Sequence, residues 1–120
     1  MIGWEQCLEC GNHCFAEGEN LSAYNNFQDA VAIARQLFCK HPTNKCVVKA
    51  LLISHQNLAD LHVKEQALDL AYQELATVNN CIEDVVERYQ SCRRKLPDSL
   101  LWGKSISLKK LLLFEQTYCH

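Results

Sequence analysis

A chain of 120 residues that is 48% hydrophobic and 22% charged, with only two prolines, has the material for one compact domain around a single core and leaves no room for a second. Its formal net charge of -2 excludes the basic excess of a protein that binds nucleic acid or an anionic membrane surface over its whole length. No apolar stretch approaches the roughly 18 residues needed to cross a bilayer. Met1 to Gln6 lacks the basic region and apolar run of a secretory signal, so cytoplasm is the expected address and the eight cysteines are expected to be reduced thiols.

The first helix is expected from about Gly3 to Glu17, with Trp4, Cys7, Leu8, Cys10, Cys14 and Phe15 at helical spacing on an apolar face. Gly18 ends it, and Asn20 or Ser22 can cap a second helix to about Lys40, with Leu21, Tyr24, Phe27, Val31, Ala34, Leu37 and Phe38 inward. His41-Pro42 stops that helix, because the residue before proline is pushed out of the helical region. Thr43 or Asn44 then caps a third helix to about Lys64 that buries Val47, Val48, Leu51, Leu52, His55, Leu58, Ala59 and His62.

The fourth segment, Ala67 to Leu96, carries the strongest periodicity. Leu68, Ala71, Leu75, Val78, Ile82, Val85, Tyr89, Cys92 and Leu96 recur at alternating steps of three and four, which describes a narrow seam packed on another helix. Asn79-Asn80 are two poor helix formers in a row, yet the stripe keeps phase through them, which favours one long helix. Leu96-Pro97 ends it. Asp98 or Ser99 caps a last helix toward Tyr118, anchored by Leu101, Ile106, Leu108, Leu111, Leu112, Phe114 and Tyr118. The expected fold is all-α.

Charge is uneven along this helical chain. From Arg88 to Lys110 the bases Arg88, Arg93, Arg94, Lys95, Lys104, Lys109 and Lys110 meet only Asp98. A solvated basic face is favoured over a phosphate-binding site.

Gly11, Ala23, Phe27 and Ala30, with Cys7, Cys10, Cys14 and Gly18 around them, sit at the spacings of a tetratricopeptide repeat, and the first two helices resemble one such hairpin. His55, Leu58, Ala59, His62, Ala71, Leu75 and Val78 resemble a second, with Val78 in place of a small residue and no glycine in the turn Lys64-Glu65-Gln66. Gly11 and Ala59 are 48 residues apart, longer than the family's step of about 34, and no third repeat is legible after Val78. The resemblance implies antiparallel helical hairpins at about residues 4–40 and 43–78, wound into a right-handed superhelix and closed by C-terminal helices at about 80–118, all within the single domain 1–120.

No nucleophile, base and orienting acid occur at a recognisable spacing, so an enzyme is not expected. The resemblance implies a scaffold or adaptor that holds a peptide or partner protein on the concave face. Its groove positions fall on Glu5, Leu8, Asn12, Phe15 and Ala16 in the first hairpin and on Ile53, Gln56, Asp60, Val63 and Lys64 in the second. Asn12 and Asn57 match asparagines that clamp a peptide carboxylate in some members of the family, but Leu8 stands where the clamp's lysine would be, so apolar contacts and amide hydrogen bonds are expected instead. The apolar Leu100, Leu101, Trp102 and Leu111 to Phe114 motivate a further expectation: the open end is covered by the last helix or by a second subunit, with a homodimer slightly favoured.

The alternative is a small zinc-binding or thiol-redox helical protein. Cys7-Leu8-Glu9-Cys10-Gly11 reads as a zinc knuckle beside His13 and Cys14, and Cys39, His41 and Cys46 form a second cluster. Against this, Cys7, Cys10 and Cys14 share one helical face as small hydrophobes, and that use is favoured, with no cofactor. His55 and His62 are expected as packed histidines with satisfied nitrogens, because two turns, roughly 10 Å, separate them. Cys119-His120 stands at a terminus, where a designed site is rare.

Overall fold

Five helices account for the structure, a computed structural model that describes residues 2–118, and no strand occurs among them. They are α1 Ile2–Ala16, α2 Asn20–Lys40, α3 Lys45–Lys64, α4 Leu68–Ser91 and α5 Asp98–Tyr118. Each helix packs on the next in sequence, and α5 also packs on α3. The Cα envelope measures 47 × 39 × 15 Å. None of these helices is long and apolar enough to cross a membrane.

The turns explain the helix boundaries. After α1, Gly18 adopts φ 77°, its N–H bonds to the Phe15 carbonyl at 3.2 Å, and the Glu19 N–H bonds to the Cys14 carbonyl at 2.8 Å. This paired closure satisfies two orphan carbonyls of the last turn and delivers Glu19 directly as the first flanking residue of α2. The expected caps Asn20 and Ser22 therefore lie inside the helix, and Glu19 makes no side-chain capping bond. The same closure recurs at Gln66, φ 62°, and at Arg93, φ 54°, each with the equivalent pair of hydrogen bonds.

Asn44 does cap α3: its side chain accepts from the N–H groups of Cys46 and Val47 at 2.9 and 3.2 Å. The eight expected inward residues of α3 are all buried. The fourth helix runs through Asn79-Asn80 without a break, so the second hairpin extends to Ser91 and one helix, not several, follows it. It stops five residues before Leu96, because the left-handed Arg93 closes it; the Pro97 carbonyl instead accepts from Leu100 and Leu101 at the start of α5. Ser99 does not cap α5, since its hydroxyl donates to the Thr43 carbonyl at 2.6 Å.

Periodicity misplaces several apolar residues. Leu21 is 76% exposed, because it stands about 200° around the helix from Ala23 and the stripe of Phe27, Ala30, Ala34 and Phe38 that faces inward. Leu68 and Cys10 are also exposed, and Cys92 is an exposed flanking residue beyond α4. In α5 the inward residues are Leu100, Gly103, Ser107 and Phe114, while the expected anchors Leu101, Leu108, Leu112 and Tyr118 face out. That helix carries apolar residues on two sides, so spacing alone does not choose between them.

The 48-residue step continues into the third odd-numbered helix. Trp4, Leu52 and Leu100 are all buried, as are Gly11, Ala59 and Ser107. The partner helices keep the same step in Ala23 and Ala71, Phe27 and Leu75, and Phe38 and Val86, again all buried. Even the two hairpin turns coincide, since Gly18 and Gln66 are one step apart and share one conformation. α5 thus stands in the register of α1 and α3, with residues that the sequence pattern does not reveal as a repeat.

Candidate interaction groove

The groove residues expected on α1 meet those on α3. Trp4 fixes the two helices first: its indole Nε1–H donates to Ser54 Oγ at 2.6 Å, and the Ser54 hydroxyl donates to the Ala50 carbonyl at 2.7 Å. Further along, Asn57 Nδ2 donates to Asn12 Oδ1 at 3.4 Å. At the end of α1, Lys64 Nζ donates to the Phe15 carbonyl at 3.0 Å and lies 4.5 Å from the centre of the Phe15 ring. The ammonium thereby neutralises the negative end of α1 and stacks on an aromatic face.

These contacts divide the expected set. Leu8, Phe15 and Ile53 are half-buried and pack on the core, so part of each side chain is committed to folding. Lys64 is committed to α1. Glu5 and Asp60 are exposed, and Gln56 donates to Asp60 Oδ1 at 2.9 Å along the same helix face. Asn12, Gln56, Asn57 and Asp60 present amide and carboxylate groups together beside the apolar Ile53 and Val63.

A concave surface unforeseen in the sequence lies between α3 and α5. Two cavities, of about 460 and 240 Å³, share Gln56 and Lys110. Ile53, Gln56 and Asn57 of α3 face Trp102, Ile106 and Lys110 of α5 in the smaller one. Asp60, Val63 and Lys64 face Leu113, Phe114 and Tyr118 in the larger one. Trp102 also receives the ammonium of Lys45, 5.3 Å from its ring centre. The sequence pattern carries no signal for these residues, because no third repeat is legible in it, and only the packing of α5 on α3 brings them to this surface.

The cysteine clusters do not converge. Cys7 and Cys10 lie on an unbroken helix, with Cys7 half-buried and Cys10 exposed, so the expected burial of Cys10 fails and the tight turn of a knuckle is absent. Cys39 and Cys46 are both exposed, one at the end of α2 and one at the start of α3. Among the described residues no group of three or more His, Cys, Asp or Glu side chains is placed to hold a metal ion, and the seven described cysteines form no disulfide. Burial pushes the Cys7 thiol above its ordinary range, with Asp29 and Cys10 adding repulsion against the thiolate. Cys119-His120 lies outside the described residues.

The two histidines of α3 are buried. His55 Nδ1 bonds Glu74 at 2.9 Å, linking α3 to α4, while its Nε2 has no hydrogen-bond partner among the described residues. Only half of the expected satisfaction is therefore met there. His62 packs edge-on to Tyr24 with ring centres 6.1 Å apart.

A family model described as "Protein of unknown function (DUF2753)" matches residues 3–120. No curated protein and no solved structure matches the chain.

Proposed function

We propose, from the premise that the chain belongs to the DUF2753 family of proteins of unknown function, that it is a non-enzymatic tetratricopeptide-like scaffold that holds an extended peptide or partner protein. The observation that carries this reading is the alignment of Asn12, Asn57, Gln56 and Ile53 along one surface that continues into the cavities between α3 and α5. Amide groups beside apolar side chains suit an extended backbone, whose N–H and C=O groups need partners while alternate side chains seek apolar contact. Leu8 stands where the family's clamp lysine would be, so a partner anchored by its carboxylate alone is not favoured. The test compares wild type with the Asn12→Ala, Gln56→Ala double variant in affinity capture, with folding checked by circular dichroism. Loss of the partners captured by wild type supports the groove, and their retention at wild-type yield by the folded variant excludes it.

A second reading, self-association, is supported by the outward side of α5. Leu101 is 48% exposed, Leu108 42% and Leu112 47%. With Ser105 they form a row spaced four, three and four residues apart, which reads the same in both directions. Two antiparallel copies can then set Leu101 on Leu112 and Ser105 on Leu108 in the self-complementary manner of a two-fold interface. A helix of 21 residues is about 31 Å long and about 10–12 Å across with its side chains, so a contact along its whole length buries roughly 600–750 Å² in total, the scale of a weak association. A weak homodimer, populated at high micromolar concentration, is the expected result. Sedimentation equilibrium of wild type and Leu108→Glu tests it, and a wild type that stays monomeric at high micromolar concentration excludes it.

A further inference from the structure

A cluster of three arginines lines a cavity on another part of the surface. A cavity of about 390 Å³ opens between α2 and α4 and shares no lining residue with the cavities between α3 and α5. Its apolar lining comes from Phe38, Leu51, Val85 and Tyr89, and Arg35, Arg88 and Arg94 stand around it with Asp84 as the one acid. These three arginines come from α2, α4 and the segment after α4, so only the folded chain brings them together.

None of the three guanidiniums forms an ion pair among the described residues. Arg35 donates to the Cys81 sulfur at 3.8 Å, Arg88 donates to the Asp84 carbonyl at 3.4 Å, and Arg94 stacks 5.1 Å from the centre of the Tyr89 ring. Each guanidinium has five N–H donors, and one weak or backbone contact leaves most of them available. Like charges gathered at a concave, partly apolar surface favour an anion there, and the planar fork of arginine matches a carboxylate or phosphate in two bonds. A cavity of this size lies within the range for small organic ligands, which bury an apolar body and are oriented by a few polar groups.

We propose that this cavity binds a small amphipathic anion, with its apolar body against Phe38, Val85 and Tyr89 and a carboxylate or phosphate head held by Arg35 and Arg88. The proposal goes beyond the scaffold reading and is independent of the groove. It also gives a role to part of the basic surplus between Arg88 and Lys110.

The probes are octyl phosphate, octanol and inorganic phosphate, each measured by displacement of the fluorescent anion anilinonaphthalene sulfonate from the full chain. Octyl phosphate is expected to displace it at least tenfold more effectively than either octanol or inorganic phosphate, because the site takes both parts of the molecule. Arg35→Ala with Arg88→Ala is expected to weaken octyl phosphate at least tenfold, the paired Lys variants to recover part of that loss, and Lys109→Ala, which removes a base outside the cavity, to leave it unchanged. Cys81 and Cys92 line the same cavity and supply a second readout. Bound octyl phosphate should slow their alkylation and leave that of exposed Cys10 unchanged. Equal displacement by octyl phosphate and octanol, or wild-type affinity in the folded double alanine variant, overturns the proposal.

Discussion

Gly11 lies flat against the ring of Phe27: a Cβ built on the glycine would stand 2.5 Å from both Phe27 Cδ1 and Phe27 Cε1. Phe27 is 1% exposed and has nowhere to retreat, so α1 and α2 can approach this closely only at a residue without a side chain. Gly11→Ala gains helix propensity of about 1 kcal/mol but overpacks a sealed contact, which typically costs about 1–3 kcal/mol. A net loss of stability is expected. Ala23→Leu tests the same hairpin from the other helix, where Ala23 is fully buried. Urea unfolding with unchanged midpoints for both variants would remove the close contact.

The hairpin turns make an opposed pair of predictions. Gly18 and Gln66 hold the same left-handed backbone at equivalent positions, φ 77° and 62°. A side chain in that conformation costs roughly 1–2 kcal/mol. Gly18→Ala should therefore destabilise and Gln66→Gly should stabilise, each by about 0.5–1 kcal/mol once the difference in freedom of the unfolded chain is subtracted. Thermal melts of the two variants should move in opposite directions.

Trp4 and Ser54 carry the only described polar link buried between α1 and α3. Ser54→Ala leaves the indole N–H without an acceptor, and an unsatisfied buried donor costs about 1–3 kcal/mol. Adding Trp4→Phe removes the donor as well. In a double-mutant cycle by urea unfolding, the two losses should be clearly less than additive; strict additivity would show that the hydrogen bond contributes nothing.

The raised pKa of Cys7 gives a pH dependence with a definite sign. The folded state keeps this thiol protonated at pH values where the unfolded chain, with an ordinary thiol pKa of about 8.5, has released the proton. The contribution is present below the unfolded value and is lost as pH rises through the higher folded value. Wild type should lose more stability than Cys7→Ala between about pH 8 and pH 10, as read by chemical denaturation at each pH. In the folded protein Cys7 should also alkylate more slowly than exposed Cys10; equal rates across that range would count against the shift.

The sequence by itself determined the helices of this protein. Each is long and periodic, Asn44 and Pro42 mark a boundary by local chemistry, and the eight inward residues of α3 follow from spacing because that helix is covered on most sides. It did not determine the pairing of Asn12 with Asn57, which are 45 residues apart, because the constant 48-residue step makes Asp60 the equivalent of Asn12 and does not say what touches what. Tertiary structure decided the rest. Leu101, Leu108 and Leu112 turn outward because α3 and α4 take the side of α5 that bears Leu100, Gly103 and Ser107, a choice that an apolar helix does not record in its own periodicity. Arg35 meets Arg88 and Arg94 at one cavity because α2 and α4 are brought together over α3. Charges 53 and 59 residues apart in sequence have no local pattern, and only packing gives them a common surface.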